Sequence, residues 1–188
     1  MKRFWFGLWC CLLATQGFAY SYANAGKEPL LEVREAILGA VAMANYDKAK
    51  AVVQQKAQVF EYLQDHHVPG LIASLHKALD SKQPKAVYMA LNQAMIAEVE
   101  RRLSAASTQL TQTQVAKVLV IKVKRYTDIM LVEYTAAQKK AMQVALRGCL
   151  KAVANPGIFG VGSRPADPPG FAQYQADVLG ILKRSSGE

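Results

Sequence analysis

The sequence predicts an all-α fold, an elongated bundle of five to six helices behind an N-terminal signal peptide. Three observations lead there. Apolar residues recur at helical spacing through nearly the whole chain. No stretch alternates with period two for long enough to argue a strand. The prolines fall between the periodic segments, where helices start and stop.

The chain opens on MKRFWFGLWCCLLATQGFAYSYANAGKE. Lys2 and Arg3 supply a positive start and Phe4 to Ala14 a short apolar core. Ala23 and Ala25 are the small residues a signal peptidase reads, with cleavage expected before Gly26. The apolar run is shorter than the ~20 residues of a membrane span. Residues 1–25 are therefore expected to direct export to a periplasm and to be removed. Residues 26–188 are expected to form one soluble domain.

Processing at that point changes the composition. Cys10 and Cys11 leave, and Cys149 remains without an intramolecular partner. The formal net charge falls from +9 to +7, since Lys2 and Arg3 are lost and no acid is. No Asn-x-Ser/Thr sequon occurs. These features fit a bacterial periplasm better than a eukaryotic extracellular space.

Helix A is expected over about 28–44, with Leu31, Val33, Ile37, Leu38 and Val41 at helical spacing. Helix B follows over about 46–66 and stops at Pro69-Gly70. Helix C takes about 70–81. Helix D takes about 84–107 and opens on Pro84, a residue suited to the first helical turn. Helix E begins after Thr111 and extends toward Val153. Unbroken, it would span roughly 63 Å, longer than a compact domain of this size. Tyr134-Thr135 is the expected break, because TAAQKKAM has its own threonine cap. A Pro/Gly-rich loop over 155–170 leads to helix F at about 171–184. Within that loop GIFGVGS is expected to pack Phe159 onto the bundle or to meet a partner. It follows no strand and is no dinucleotide fingerprint.

A shift of 37 residues aligns Leu38 with Leu75, Lys48 with Lys85, Ala49 with Ala86, Val59 with Ile96 and Glu61 with Glu98. Helix pairs A/B and C/D would then be similar hairpins, as in a helical-repeat scaffold.

Helix E carries the functional expectation. On a wheel, Leu119, Val120, Val123, Tyr126, Met130, Leu131, Ala137, Ala141, Val144, Ala145, Cys149 and Ala152 form the core face. Cys149 reads as a small buried hydrophobe, with a dimer-forming cysteine as the alternative. Lys117, Lys122, Lys124, Arg125, Lys139, Lys140, Arg147 and Lys151 share the opposite half with Val118, Ile121, Ile129, Val132, Leu146 and Leu150. In one reading a further helix covers these aliphatics and the lysine stems snorkel around its edges. In the other the mixed face stays exposed, with Lys122, Lys124, Arg125, Ile121, Ile129 and Val132 as contact residues. Such a face would attract unfolded or anionic proteins or a membrane surface. No nucleic-acid recognition module is present.

Leu110-Thr111-Gln112-Thr113-Gln114 places threonine and glutamine at capping-box spacing. The same letters resemble the LTxxQ signature of small helical periplasmic stress chaperones. That resemblance implies a secreted, all-helical, dimeric cradle with a basic and apolar concave face. The family carries the motif twice. Here Leu79-Asp80-x-x-Gln83 and Tyr134-Thr135-x-x-Gln138 are partial second copies.

Other chemistries find little support. Asp65, His66 and His76 would make a metal site only if helices B and C fold back on each other, since adjacent His66 and His67 point about 100° apart. No cofactor is expected. A metal ion, or haem held by Tyr126, Met130 or His76, is the alternative. Glu98 and Glu100 lie on different faces, and Glu98 reads as a surface partner of Arg102. No nucleophile elbow or phosphate loop occurs. The expected function is non-enzymatic binding of holdase type. A metal- or cofactor-binding helical protein and a scaffold for an envelope complex are the alternatives.

Overall fold

The computed structural model describes residues 28–185, and the expected signal peptide lies outside them. The fold is all-α, with eight helices among the described residues. They are α1 (Pro29–Ala42), α2 (Tyr46–Gln55), α3 (Ala57–His66), α4 (Leu71–Asp80), α5 (Pro84–Ser107), α6 (Thr113–Met130), α7 (Ala136–Ala152) and α8 (Pro168–Ser185). Helices were expected to number five or six. The count rises because the helices expected at 46–66 and after Thr111 are each broken.

The first break falls at Lys56, between α2 and α3. Nothing in the local sequence explains it. It also undoes the expected repeat: α2 and α3 have ten residues each, whereas α5 runs 24 without interruption. Glu61 is exposed where its counterpart Glu98 is buried.

The second break comes where the threonine cap predicts it. Leu131–Glu133 make one 3-10 turn, and Tyr134 and Thr135 are extended at ψ 151° and 158°. Thr135 Oγ1 accepts a hydrogen bond from Gln138 N at 3.2 Å, and Thr135 N donates to Gln138 Oε1 at 2.9 Å. That is a complete capping box. The box expected at Thr111 and Gln114 does not form. Gln112 is the N-cap residue of α6 and makes no side-chain cap, while Thr113 donates its hydroxyl to Ala154 O at 2.9 Å. Thr135→Ala should therefore cost about 1 kcal/mol in urea unfolding, and Thr111→Ala close to nothing.

The break removes the long rod on which the expected elongation rested. The halves have 18 and 17 residues, so each is about 26 Å long. They fold back as an antiparallel hairpin. Its open end is closed by the Thr113–Ala154 bond and by Ala154 N donating to Leu110 O at 3.0 Å. The interruption also rotates the buried face of α7. Met142, Ala145, Leu146, Gly148, Cys149 and Ala152 point inward. Ala137, Ala141 and Val144, expected in the core from a continuous wheel, are exposed.

α5 is the central helix, against which α1, α3, α4, α6 and α8 pack. Buried residues ring it, among them Val87, Leu91, Met95, Val99 and Leu103. A helix apolar on most sides is one surrounded by others. α8 lies along α7, where Gly148 makes room for the ring of Tyr174. No helix among the described residues is long and apolar enough to cross a membrane.

Candidate functional site

Between α6 and α7 runs an open groove of about 610 Å³. α6 and the 3-10 turn contribute Val120, Ile121, Lys124, Asp128, Leu131 and Val132. α7 contributes Lys139, Met142, Gln143, Leu146, Arg147 and Leu150. The floor is apolar because Val120, Ile121, Leu131 and Val132 on one side and Met142, Leu146 and Leu150 on the other face each other across the hairpin, with the charged lining residues toward its rim. Ile121 is 58% exposed and Val132 73% exposed, and Leu150 is half-buried. No further segment among the described residues covers the groove, although its two ends are pinned.

Three cations stand at the rim. Lys124 Nζ pairs with Asp128 at 2.5 Å, an exposed i,i+4 contact. Lys139 Nζ donates to Val132 O at 3.2 Å, and Arg147 Nε donates to Gln143 O at 3.3 Å. Both bonds end on backbone carbonyls, so neither neutralises the positive charge.

The six contact residues expected from the sequence therefore separate. Ile121, Lys124 and Val132 line the groove. Arg125 is exposed and Ile129 half-buried, and neither is part of the groove lining. Lys122 leaves the surface altogether and is 8% exposed. Its ammonium lies 3.2 Å from Glu28 Oε1. The α7 wall was read in part: Lys139, Leu146, Arg147 and Leu150 stood on the mixed face of helix E but were not among the six contact residues, and Met142 and Gln143 were not on that face. Lys139, Met142, Leu146 and Leu150 recur at steps of three and four, which was the signal for the rest.

Lys122 belongs to a buried ion cluster that the sequence did not disclose. Glu28, 2% exposed, faces Arg102 of α5 and Lys122 and Tyr126 of α6. Arg102 donates to both Glu28 oxygens and, through Nε, to Glu98 Oε1 at 2.6 Å. Tyr126 donates its hydroxyl to Glu28 Oε2 at 3.1 Å, and the Arg102 guanidinium sits 4.8 Å from the centre of the Tyr126 ring. Arg101 forms a two-pronged pair with Glu98. The Glu98–Arg102 pair, expected on the surface, is thus interior.

The charges set the titration of this cluster. Burial raises the Glu28 carboxyl, but hydrogen bonding and charge from Arg102, then from Lys122, outweigh it and hold the group below its ordinary value. Glu98 is likewise lowered, by Arg101 and Arg102 against its own burial. Burial drives the Tyr126 hydroxyl far up, so it stays a donor. Elsewhere burial pushes the Cys149 thiol up to about 12. Cys149 is fully buried, as a small core residue would be.

The residues weighed for metal binding are not gathered. Among the described residues no three His, Cys, Asp or Glu side chains are placed to hold an ion. His66 stacks on Tyr62 at 4.3 Å, and its Nδ1 donates to Tyr62 O at 3.0 Å. Tyr126 and Met130, weighed as haem ligands, are core residues.

With this geometry in view, comparison with known proteins adds no relative: no family model matches the chain, and no curated protein or solved structure matches it either.

Proposed function

We propose that the chain is a non-enzymatic binding protein whose α6–α7 groove takes an apolar segment of another polypeptide, with acidic residues of that segment meeting the rim. One observation carries this reading: Ile121 and Val132 stand in water between cations, with Leu150 half-buried, along a groove whose deeper apolar lining is walled by two helices. Single exposed apolar residues are ordinary. A continuous apolar floor with a polar rim is the usual form of an interaction site. Its volume falls within the range of roughly 300–1,000 Å³ typical of ligand pockets.

On this reading the protein is exported, and its clients are unfolded or partly unfolded chains. Apolar contact supplies affinity and is indifferent to sequence, while the rim favours acidic flanks.

Suppression of aggregation of a denatured test protein measures this directly. Ile121→Asp with Val132→Asp should raise the amount of protein needed for half-suppression about tenfold, since two buried contacts would be lost. Both sites are exposed, so stability should move by no more than about 0.5 kcal/mol. Charge reversal at Lys139 and Arg147 should weaken binding of acidic clients more than neutral ones. No suppression by the unaltered chain in molar excess would end the proposal.

A further inference from the structure

The loop between α7 and α8 ends in a tip that the groove does not use. Asn155 and Arg164 exchange backbone hydrogen bonds of 2.8 and 2.7 Å, and Ile158 and Val161 exchange two of 3.1 and 3.0 Å. Asn155 Nδ2 adds a bond to Gly162 O at 3.2 Å. The result is a tight hairpin whose central pair is Phe159 and Gly160, at φ 51° and 83°. A turn left-handed at both positions favours glycine, asparagine or aspartate. Gly160 meets that demand. Phe159 does not, because a bulky residue there is strained.

This strained residue is also the most exposed large apolar one among the described residues. Phe159 is 103% exposed, Ile158 78% and Val161 80%. The expected packing of Phe159 onto the bundle does not occur. Three large apolar side chains within four positions therefore project into water from a hydrogen-bonded turn. Arg164 is the single charged residue from Ala154 to Ala166. Exposed Lys151 lies one turn before the loop, and the segment 108–112, bonded to Ala154 through Leu110, is uncharged. Asp167, at the base, directs its carboxylate to Gly170 N at 3.0 Å.

The geometry points to a membrane-surface probe: Ile158, Phe159 and Val161 enter the interfacial layer of an anionic bilayer, with Arg164 and Lys151 against the headgroup phosphates. Two features favour lipid over a protein pocket. The amides and carbonyls of Ile158 and Val161 are satisfied within the tip, while the backbone of Phe159 and the Gly160 amide make no bond there, which suits the hydrated interfacial layer and not the hydrocarbon core. Arg164 and Lys151 outnumber the one exposed acid of the loop, Asp167, which lies at the base, capping Gly170 N, and not at the tip; that balance complements anionic headgroups. The assignment is independent of the groove, and either can fail alone.

The test uses the full-length chain with Trp5→Phe, Trp9→Phe and Phe159→Trp, so that the tip carries the only indole. Mixed phosphatidylglycerol–phosphatidylcholine vesicles should shift its emission to the blue, and bromine-labelled acyl chains should quench it. Adding Ile158→Ser and Val161→Ser should raise the lipid needed for half the shift about tenfold. Arg164→Glu with Lys151→Glu should do the same on anionic vesicles and leave pure phosphatidylcholine unaffected. Far-UV circular dichroism of each variant checks that the helices are intact. An indole that stays in water overturns the proposal, even where the chain sediments with vesicles through residues 1–27. So does a blue shift that follows protein concentration without lipid, which would mean that the tip docks on protein.

Discussion

Glu28→Ala is expected to lower stability by about 3–5 kcal/mol, the usual cost of removing one partner from a buried ion pair. The carboxylate joins α1 to α5 and α6 through Arg102, Lys122 and Tyr126. Without it, Arg102 retains Glu98 but loses its two-oxygen partner. Most of the penalty is that the desolvated charges of Arg102 and Lys122 lose one of the carboxylates that balance them, so Glu28→Gln should be severe as well. Urea unfolding at neutral pH measures the loss.

The pH dependence follows from the lowered carboxyls. Near the ordinary value of 4.5 the unfolded chain binds protons at Glu28 and Glu98 that the folded chain refuses. Stability therefore rises with pH in that region. It is fully present above the unfolded value and is lost as pH falls through the lower folded values. The gap between the natural chain and Glu28→Gln should narrow only there. A gap that stays constant into strong acid would show that Glu28 acts through packing alone.

Tyr126→Ala should have a comparable effect, about 3–5 kcal/mol, because the ring is fully buried. The ring also presents its face to Arg102 at 4.8 Å. Tyr126→Phe separates the parts. It keeps the ring and removes only the bond to Glu28, so about 1 kcal/mol is expected. Tyr126 and Glu28 touch, so their losses should not add, and the double variant measures the coupling.

Local features were legible in the sequence. Pro84 and the Pro69-Gly70 stop place α5 and α4 to within a residue or so of the bounds found. Thr135-x-x-Gln138 marks the hairpin bend through its own capping chemistry. What escaped was long-range. Glu28 and Arg102 are 74 residues apart and Glu28 and Tyr126 are 98 apart, and no periodicity registers a contact at such separations. The groove was half legible for the same reason. Its α6 wall and most of its α7 wall follow from one mixed face, whereas the facing of the two walls, and Met142 on the second, require knowing that the chain doubles back. The tip was legible as a loop, but Phe159 at a left-handed position runs against residue preference, so propensity concealed it.

Glu28 leaves the ribosome long before its companions. Tyr126 follows 98 residues later, a delay of roughly 5–20 s at ordinary elongation rates. Until Arg102 emerges the carboxylate is hydrated, and α1 has only its early neighbours α2 and α3 to pack on. Closure of the buried ion cluster must then wait for α6, whatever the helices around α1 have already formed.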